Sequence, residues 1–118
     1  MTDATDRMRA TVDQMDHLFA GPIASGERAM PALLDLRDLA RDEQAWLRAM
    51  KLLGELAYQY RVMMASIEIH ATRCIAHWPD DPDDNPDARR LSQIMSLLLK
   101  DFRAILAEYE PEEDRPKH

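Results

Sequence analysis

Apolar residues recur along this chain at alternating steps of four and three positions, the spacing that places side chains on one face of an α-helix. The longest such run is Trp46, Met50, Leu53, Ala57, Tyr60, Met64, Ile67, Ala71, Cys74 and Trp78. An unbroken stripe of this kind packs a helix against its neighbours by knobs into holes. The pattern therefore predicts one long helix over 42–78, about 55 Å in length.

Three shorter segments show the same periodicity. The first covers 4–20 and ends at Gly21-Pro22, a glycine followed by a proline, which is a helix stop signal. Its apolar face is Met8, Val12, Met15 and Phe19. The second covers 26–40, with Leu33, Leu36, Leu39 and Ala40 on one face. The pattern predicts a helix for each segment.

The last segment covers 86–109 and begins at a strong start signal. Asn85 is a favoured N-cap residue, Pro86 suits the first helical position, and Asp87 suits the positive end of the helix dipole. The apolar face that follows is Leu91, Met95, Leu98, Phe102, Ile105 and Tyr109.

The boundary between the second and third segments contains no glycine or proline. Residues 41–44 could form a tight turn with Asp42 as N-cap, or a polar stretch of one continuous helix. We expect a break or a kink there.

Together these segments predict an all-α fold, an antiparallel helical bundle of three to four helices (about 4–20, 26–40, 42–78 and 86–109) with one long central helix. The first and last helices are too short to cover a helix over 42–78. Since uncovered apolar surface is unfavourable in water, we expect a homodimer to complete the bundle. The alternative is a compact four-helix monomer broken at 41–44.

Composition sets the domain organisation. The chain has 118 residues, 46% of them hydrophobic and 31% charged, which suits one globular domain over 1–110 and a disordered charged tail over 111–118. No stretch of about 18 apolar residues predicts a membrane span. A single cysteine, Cys74, and the lack of an export signal favour a reducing, cytoplasmic setting.

The formal net charge of −7 is unevenly distributed, because acidic residues concentrate in the 80–87 loop and near the C-terminal end. The helical body is close to neutral, which disfavours nucleic-acid binding. Four cations fall on the outer side of the helical pattern: Arg37, Arg41, Arg48 and Lys51. They could meet an acidic partner, or pair with the acidic residues interleaved among them.

The best chemical candidate is the trio His70, Cys74 and His77, since steps of four and three place these side chains on one helical strip. Imidazole and thiolate are good zinc ligands. Three ligands from one helix rarely close a tetrahedral site, and a cysteine on an apolar stripe is more often core. His17 of the first helix could complete such a site, and Asp13 and His17, four apart, could also form an ion pair.

The sequence contains little that indicates calcium binding or catalysis. The 81–92 segment resembles a calcium loop only superficially, because a proline stands where the essential glycine belongs. Phosphate-binding glycine loops, nucleophile elbows and HExxH are lacking. We therefore expect neither an enzyme nor a bound cofactor.

The sequence favours a non-enzymatic helical interaction module, such as an adaptor, a chaperone-like protein, an inhibitor or a regulatory subunit, that binds a protein partner through apolar helix faces. The residues expected to carry core and interaction are Trp46, Met50, Leu53, Tyr60, Met64, Ile67, Trp78, Leu98 and Phe102. The alternative is a metal- or small-ligand-binding bundle that uses His70, Cys74 and His77.

Overall fold

The computed structural model describes residues 2–23, 29–52, 54–77 and 86–108. These residues form four α-helices and one π-helical turn, and within them there is no strand. The elements are α1 (Thr2–Leu18), the π-helical turn Phe19–Ile23, α2 (Ala29–Met50), α3 (Glu55–Ala76) and α4 (Pro86–Glu108). The predicted all-α helical bundle is confirmed.

Consecutive helices run antiparallel. In the α2–α3 pair, which forms the largest interface, Arg41 contacts Glu68 near one end while Leu47 and Ala57 line a common cavity near the other. α4 returns along α3 and packs against both α1 and the π-helical turn that continues it. The chain therefore closes into an up–down–up–down arrangement.

The core follows the predicted stripes at both ends of the chain. Met8, Val12, Met15 and Phe19 are all buried, and Ile23 of the π-helical turn extends this stripe by one further step. In α4 the buried apolar positions are Leu91, Met95, Leu99, Phe102 and Leu106. Leu98 and Ile105, which the heptad placed in the core, lie half-buried beside it.

The single helix predicted over 42–78 is wrong, and so is the break expected at 41–44. α2 continues through 41–44, and the chain breaks instead between Met50 and Glu55. Met50 is consequently 60% exposed rather than part of the core stripe. From Ala57 to Ala71 the stripe is buried as predicted. Leu53 and Trp78 lie outside the described residues.

Backbone geometry explains the position of this break. Lys51 has φ 52°, and two hydrogen bonds close the end of α2, from Leu52 N–H to Leu47 O (3.3 Å) and from Lys51 N–H to Arg48 O (3.2 Å). This is a Schellman ending, in which the left-handed residue is usually glycine. Gly54 follows with φ 105° and ψ 176°, a conformation essentially restricted to glycine.

Two further expectations concern the edges of the domain. The 111–118 tail and most of the acidic loop lie outside the described residues. Among the helices that the structure describes, none is both long and apolar enough to cross a bilayer.

Candidate functional site

A carboxylate lies in the middle of the core. Glu43 of α2 is only 2% exposed. Its Oε1 accepts hydrogen bonds from Tyr60 OH (2.6 Å) and Thr11 Oγ1 (3.0 Å), and its Oε2 accepts from Arg7 Nη2 (2.7 Å) and Nε (3.0 Å). Three helices thus meet at one side chain, since α1 supplies Arg7 and Thr11, and α3 supplies Tyr60.

Aromatic rings enclose this cluster. The Arg7 guanidinium lies 4.4 Å from the centre of the Trp46 ring, and Trp46 meets Tyr60 edge to face at 6.3 Å. Tyr60 also contacts Phe102 of α4 at 5.3 Å. Burial, followed by the hydrogen bond to Glu43, raises the pKa of Tyr60 far above its usual range.

The Glu43 cluster is closed to substrates. Both carboxylate oxygens are occupied by donors from the chain, and the side chain has almost no solvent contact. The cluster holds α1 against α2 and α3 in one register. The sequence carries a signal for it, because extending the α2 stripe in heptad steps from Leu36 and Ala40 leads directly to Glu43 and then Leu47.

The predicted trio lines one cavity. His70, Cys74 and His77 of α3 enclose a space of about 350 Å³ together with Leu91 and Ile94 of α4. Two arginines, Arg73 and Arg90, complete the lining. Cys74 and His70 are half-buried, and His77 is exposed.

The imidazole rings are oriented by the backbone of α3. His70 Nδ1 lies 2.7 Å from Ser66 O, and His77 Nδ1 lies 3.0 Å from Arg73 O. A carbonyl oxygen can only accept a hydrogen bond, so both Nδ1 atoms carry protons and Nε2 is the lone-pair donor of each neutral ring.

The metal interpretation gains little from this arrangement. Within the described ranges, no group of three His, Cys, Asp or Glu side chains is placed to hold a metal ion. His17 of α1 is exposed, and its neighbour Asp13 binds Arg103 of α4 at 2.6 Å. A metal at this cavity stays a prediction that the geometry does not strengthen.

The surface of α3 that faces away from the core is also largely apolar, with Thr72 as its one polar member. Its members are Tyr58, Val62, Ala65, Ile69, Thr72 and Ala76, which we call the outer stripe. They follow steps of four and three, so they share one helical face, opposite the buried Tyr60, Met64 and Ile67. Val62 is 47% exposed and Ile69 is 52% exposed. The helix thus has two apolar faces, of which the bundle covers one.

The residues predicted for core and interaction divide clearly. Tyr60, Met64, Ile67 and Phe102 are buried, so they stabilise the monomer and offer no contact surface. Trp46 and Leu98 are half-buried against the core. The sequence pattern did not lead us to the outer stripe, because the buried stripe on the same helix carries the larger side chains.

Ion pairs between helices account for part of the cationic surface. Arg41 donates to Glu68 at 2.7 Å, and this hydrogen bond lowers the pKa of Glu68. Arg37 pairs with its neighbour Asp38. Arg48 and Lys51 instead line a second cavity at the end of the bundle.

In comparisons with family models, with characterised proteins and with solved structures, this chain matches none.

Proposed function

We propose that this protein is a helical protein–protein interaction module, and that its contact surface is the outer stripe of α3. The observation that carries the proposal is an uninterrupted heptad pattern on the solvent side of a helix whose other face is already packed. A helix that only closes a bundle needs one apolar face. A second regular face is typical of a helix that also packs against another molecule.

A second copy of the chain is the occupant that fits the outer stripe best. In an antiparallel α3 pair centred at residue 67, Tyr58 would face Ala76 of the second copy, and Ala65 would face Ile69. Val62 would face Thr72. Two of these three levels then set a larger side chain against an alanine, which is how helix pairs interdigitate at close approach. This argument differs from the sequence-based one, because the residues that the structure describes do not form a single helix over 42–78.

Mass measurement of the intact chain tests the proposal. The monomer has a mass of 13.6 kDa, so light scattering at micromolar concentrations should give twice that value. The variant Val62→Asp/Ile69→Asp should be monomeric with an unchanged helix content. The matched control is Leu97→Asp on α4, which also places a carboxylate on an exposed apolar residue, 64% exposed, but outside the outer stripe.

Mixed variants test the register. Ala65→Glu and Ile69→Lys should each weaken the homodimer, and mixing the two should give a heterodimer, because the carboxylate introduced in one copy would face the ammonium group introduced in the other. A wild-type chain that stays at 13.6 kDa across the concentration range would overturn self-association through this surface. A dimer that Val62→Asp/Ile69→Asp leaves intact would overturn the choice of stripe.

The cavity lined by His70, Cys74 and His77 supports a second candidate function, the binding of a small ligand, whereas binding of a metal rests on the sequence pattern alone. The supporting observation is that all three predicted residues line one space, together with α4. Elemental analysis and native mass spectrometry of untagged protein, beside His70→Ala/His77→Ala, test it. Bound metal or ligand that the double variant loses would support this function, and its lack in both proteins would remove it.

A further inference from the structure

The turn between α2 and α3 borders a cavity of about 360 Å³ that is open to solvent, which we call the elbow cavity. Its cationic wall consists of Arg48, Lys51 and Arg61. Its apolar floor consists of Leu47, Leu52, Ala57 and Tyr58. The volume is at the lower end of the range for small-molecule pockets, which is about 300–1,000 Å³. The space therefore suits a small ligand with a charged end and an apolar part.

The three cations of the elbow cavity differ from the arginines elsewhere in the bundle. Arg7, Arg41 and Arg103 each bind a carboxylate of another helix. Within the described part of the chain, Arg48, Lys51 and Arg61 form no ion pair, and no acidic residue lines the cavity. Three positive charges are thus gathered in one place on a protein whose net charge is −7.

Backbone geometry fixes this wall. Lys51 occupies the left-handed position of the Schellman ending, where a non-glycine residue is uncommon and costs about 1–2 kcal/mol. Lysine here is unfavourable for the turn alone, and it brings an ammonium group to the cavity. The Arg61 guanidinium lies 5.7 Å from the centre of the Tyr58 ring, so the aromatic floor orients the second cation.

The first turn of α3 adds hydrogen-bond donors. Gly54 is the N-cap and provides no side-chain acceptor. The first intrahelical bond runs from Tyr58 N–H to Gly54 O at 3.0 Å, so the N–H groups of residues 55–57 precede it. Together with the helix dipole, these groups favour an anion at the N-terminus of α3, where Gly54 and Ala57 line the cavity.

We propose that the elbow cavity binds a small organic phosphate, a phosphomonoester attached to an aromatic or apolar group. A phosphomonoester carries about −1.5 to −2 charges at pH 7, which balances three cations better than one carboxylate does. Its three terminal oxygens match two guanidinium groups and one ammonium group. The apolar part of the ligand lies on Leu47 and Leu52.

Titration with phenyl phosphate tests this site. Amide resonances of residues 47–61 should shift in a saturable way at constant ionic strength, with an affinity above that of inorganic phosphate and far above that of phenol. Arg48→Gln and Arg61→Gln should each weaken binding about tenfold or more. The matched control is Lys100→Gln, which removes one exposed cation from α4 and should leave binding unchanged.

Three results would overturn the proposal. One is the lack of saturable binding of phenyl phosphate to folded wild-type protein at millimolar concentration. Another is equal affinity in wild-type protein and in the Arg48→Gln/Arg61→Gln variant. The last is a single-stranded oligonucleotide that displaces phenyl phosphate and binds more tightly with a steep salt dependence, which would identify a polyanion surface instead.

Discussion

The phenol of Tyr60 donates a 2.6 Å hydrogen bond to Glu43 Oε1, and both side chains are almost completely removed from solvent. Because the carboxylate is also bound by Arg7 and Thr11, the pair ties α1, α2 and α3 together at one point. This cluster is the largest departure from an apolar core, and it gives the sharpest stability predictions.

Replacing Glu43 by glutamine should lower the free energy of unfolding by about 3 kcal/mol, because the new amide group would face Arg7 and only part of the donor set would keep an acceptor. Urea denaturation followed by circular dichroism measures this. Glu68→Gln is the matched control on the surface, where loss of the Arg41 contact should cost less than about 1 kcal/mol. Equal losses in the two variants would contradict the structural role of Glu43.

Replacing the polar partners together should have a smaller effect than Glu43→Gln. In the variant Thr11→Val/Glu43→Met/Tyr60→Phe the buried donors and acceptors disappear at once, so none is left unsatisfied, and Arg7 can turn to solvent. We expect stability within about 1 kcal/mol of wild type. A loss larger than that of Glu43→Gln alone would show that the hydrogen bonds themselves stabilise the fold.

Alkaline pH should destabilise the protein through Tyr60. The folded-state pKa of this phenol is raised, so above about pH 10 the unfolded chain loses a proton that the folded chain keeps. The stabilisation is therefore complete below about pH 10 and is lost progressively as the pH rises further. When unfolding is measured at several pH values across this range, the free energy of unfolding should fall more steeply with pH in wild type than in Tyr60→Phe.

Two substitutions in the turn between α2 and α3 should change the stability of the protein in opposite directions. Lys51→Gly should raise the free energy of unfolding by about 1 kcal/mol, because glycine adopts φ 52° without strain. Gly54→Ala should lower it by about 1–3 kcal/mol from backbone strain alone, since an added Cβ would meet no atom within 4 Å. Thermal denaturation measures both. Lys51→Gln keeps the strain and removes the charge, which separates stability from phosphate binding.

Arg103 bridges Asp13 and Asp16 of α1 at 2.6 and 3.0 Å, but its side chain is 40% exposed. Arg103→Gln should therefore cost less than about 1 kcal/mol, and the difference from wild type should shrink at high salt. The loss caused by Glu43→Gln should persist at high salt, because the Glu43 carboxylate is only 2% exposed and two of its donors, Tyr60 and Thr11, are neutral groups that salt does not screen. Salt-independent loss in Arg103→Gln would contradict the surface character of this bridge.

Sequence periodicity predicted the fold class because each helix buries one regular apolar face. The prediction of a single helix over 42–78 failed at Gly54. The apolar stripe keeps the same spacing on both sides of the break, and spacing alone does not indicate a positive φ. Periodicity failed at Glu43 for a different reason. A carboxylate at a core position looks polar in the pattern, and only its three donors, which come from two other helices, make that position compatible with burial.

The candidate sites show the same limits. The trio His70, Cys74 and His77 was predicted because residues three and four positions apart lie on one face of a helix. The structure places the three side chains around one cavity. The elbow cavity was not predicted. Arg48 and Arg61 belong to different helices, and only the sharp turn at Lys51 and Gly54 brings them together.

The dependence of Glu43 on Arg7 and Thr11 defines the smallest autonomous piece of this chain. A fragment that began at α2 would retain the carboxylate and Tyr60 but would lose the guanidinium and one hydroxyl donor. It would also expose the apolar surface of α4 against which α1 packs. We therefore expect the N-terminal helix to be an integral part of the folding unit, and a hairpin of α2 and α3 alone not to fold.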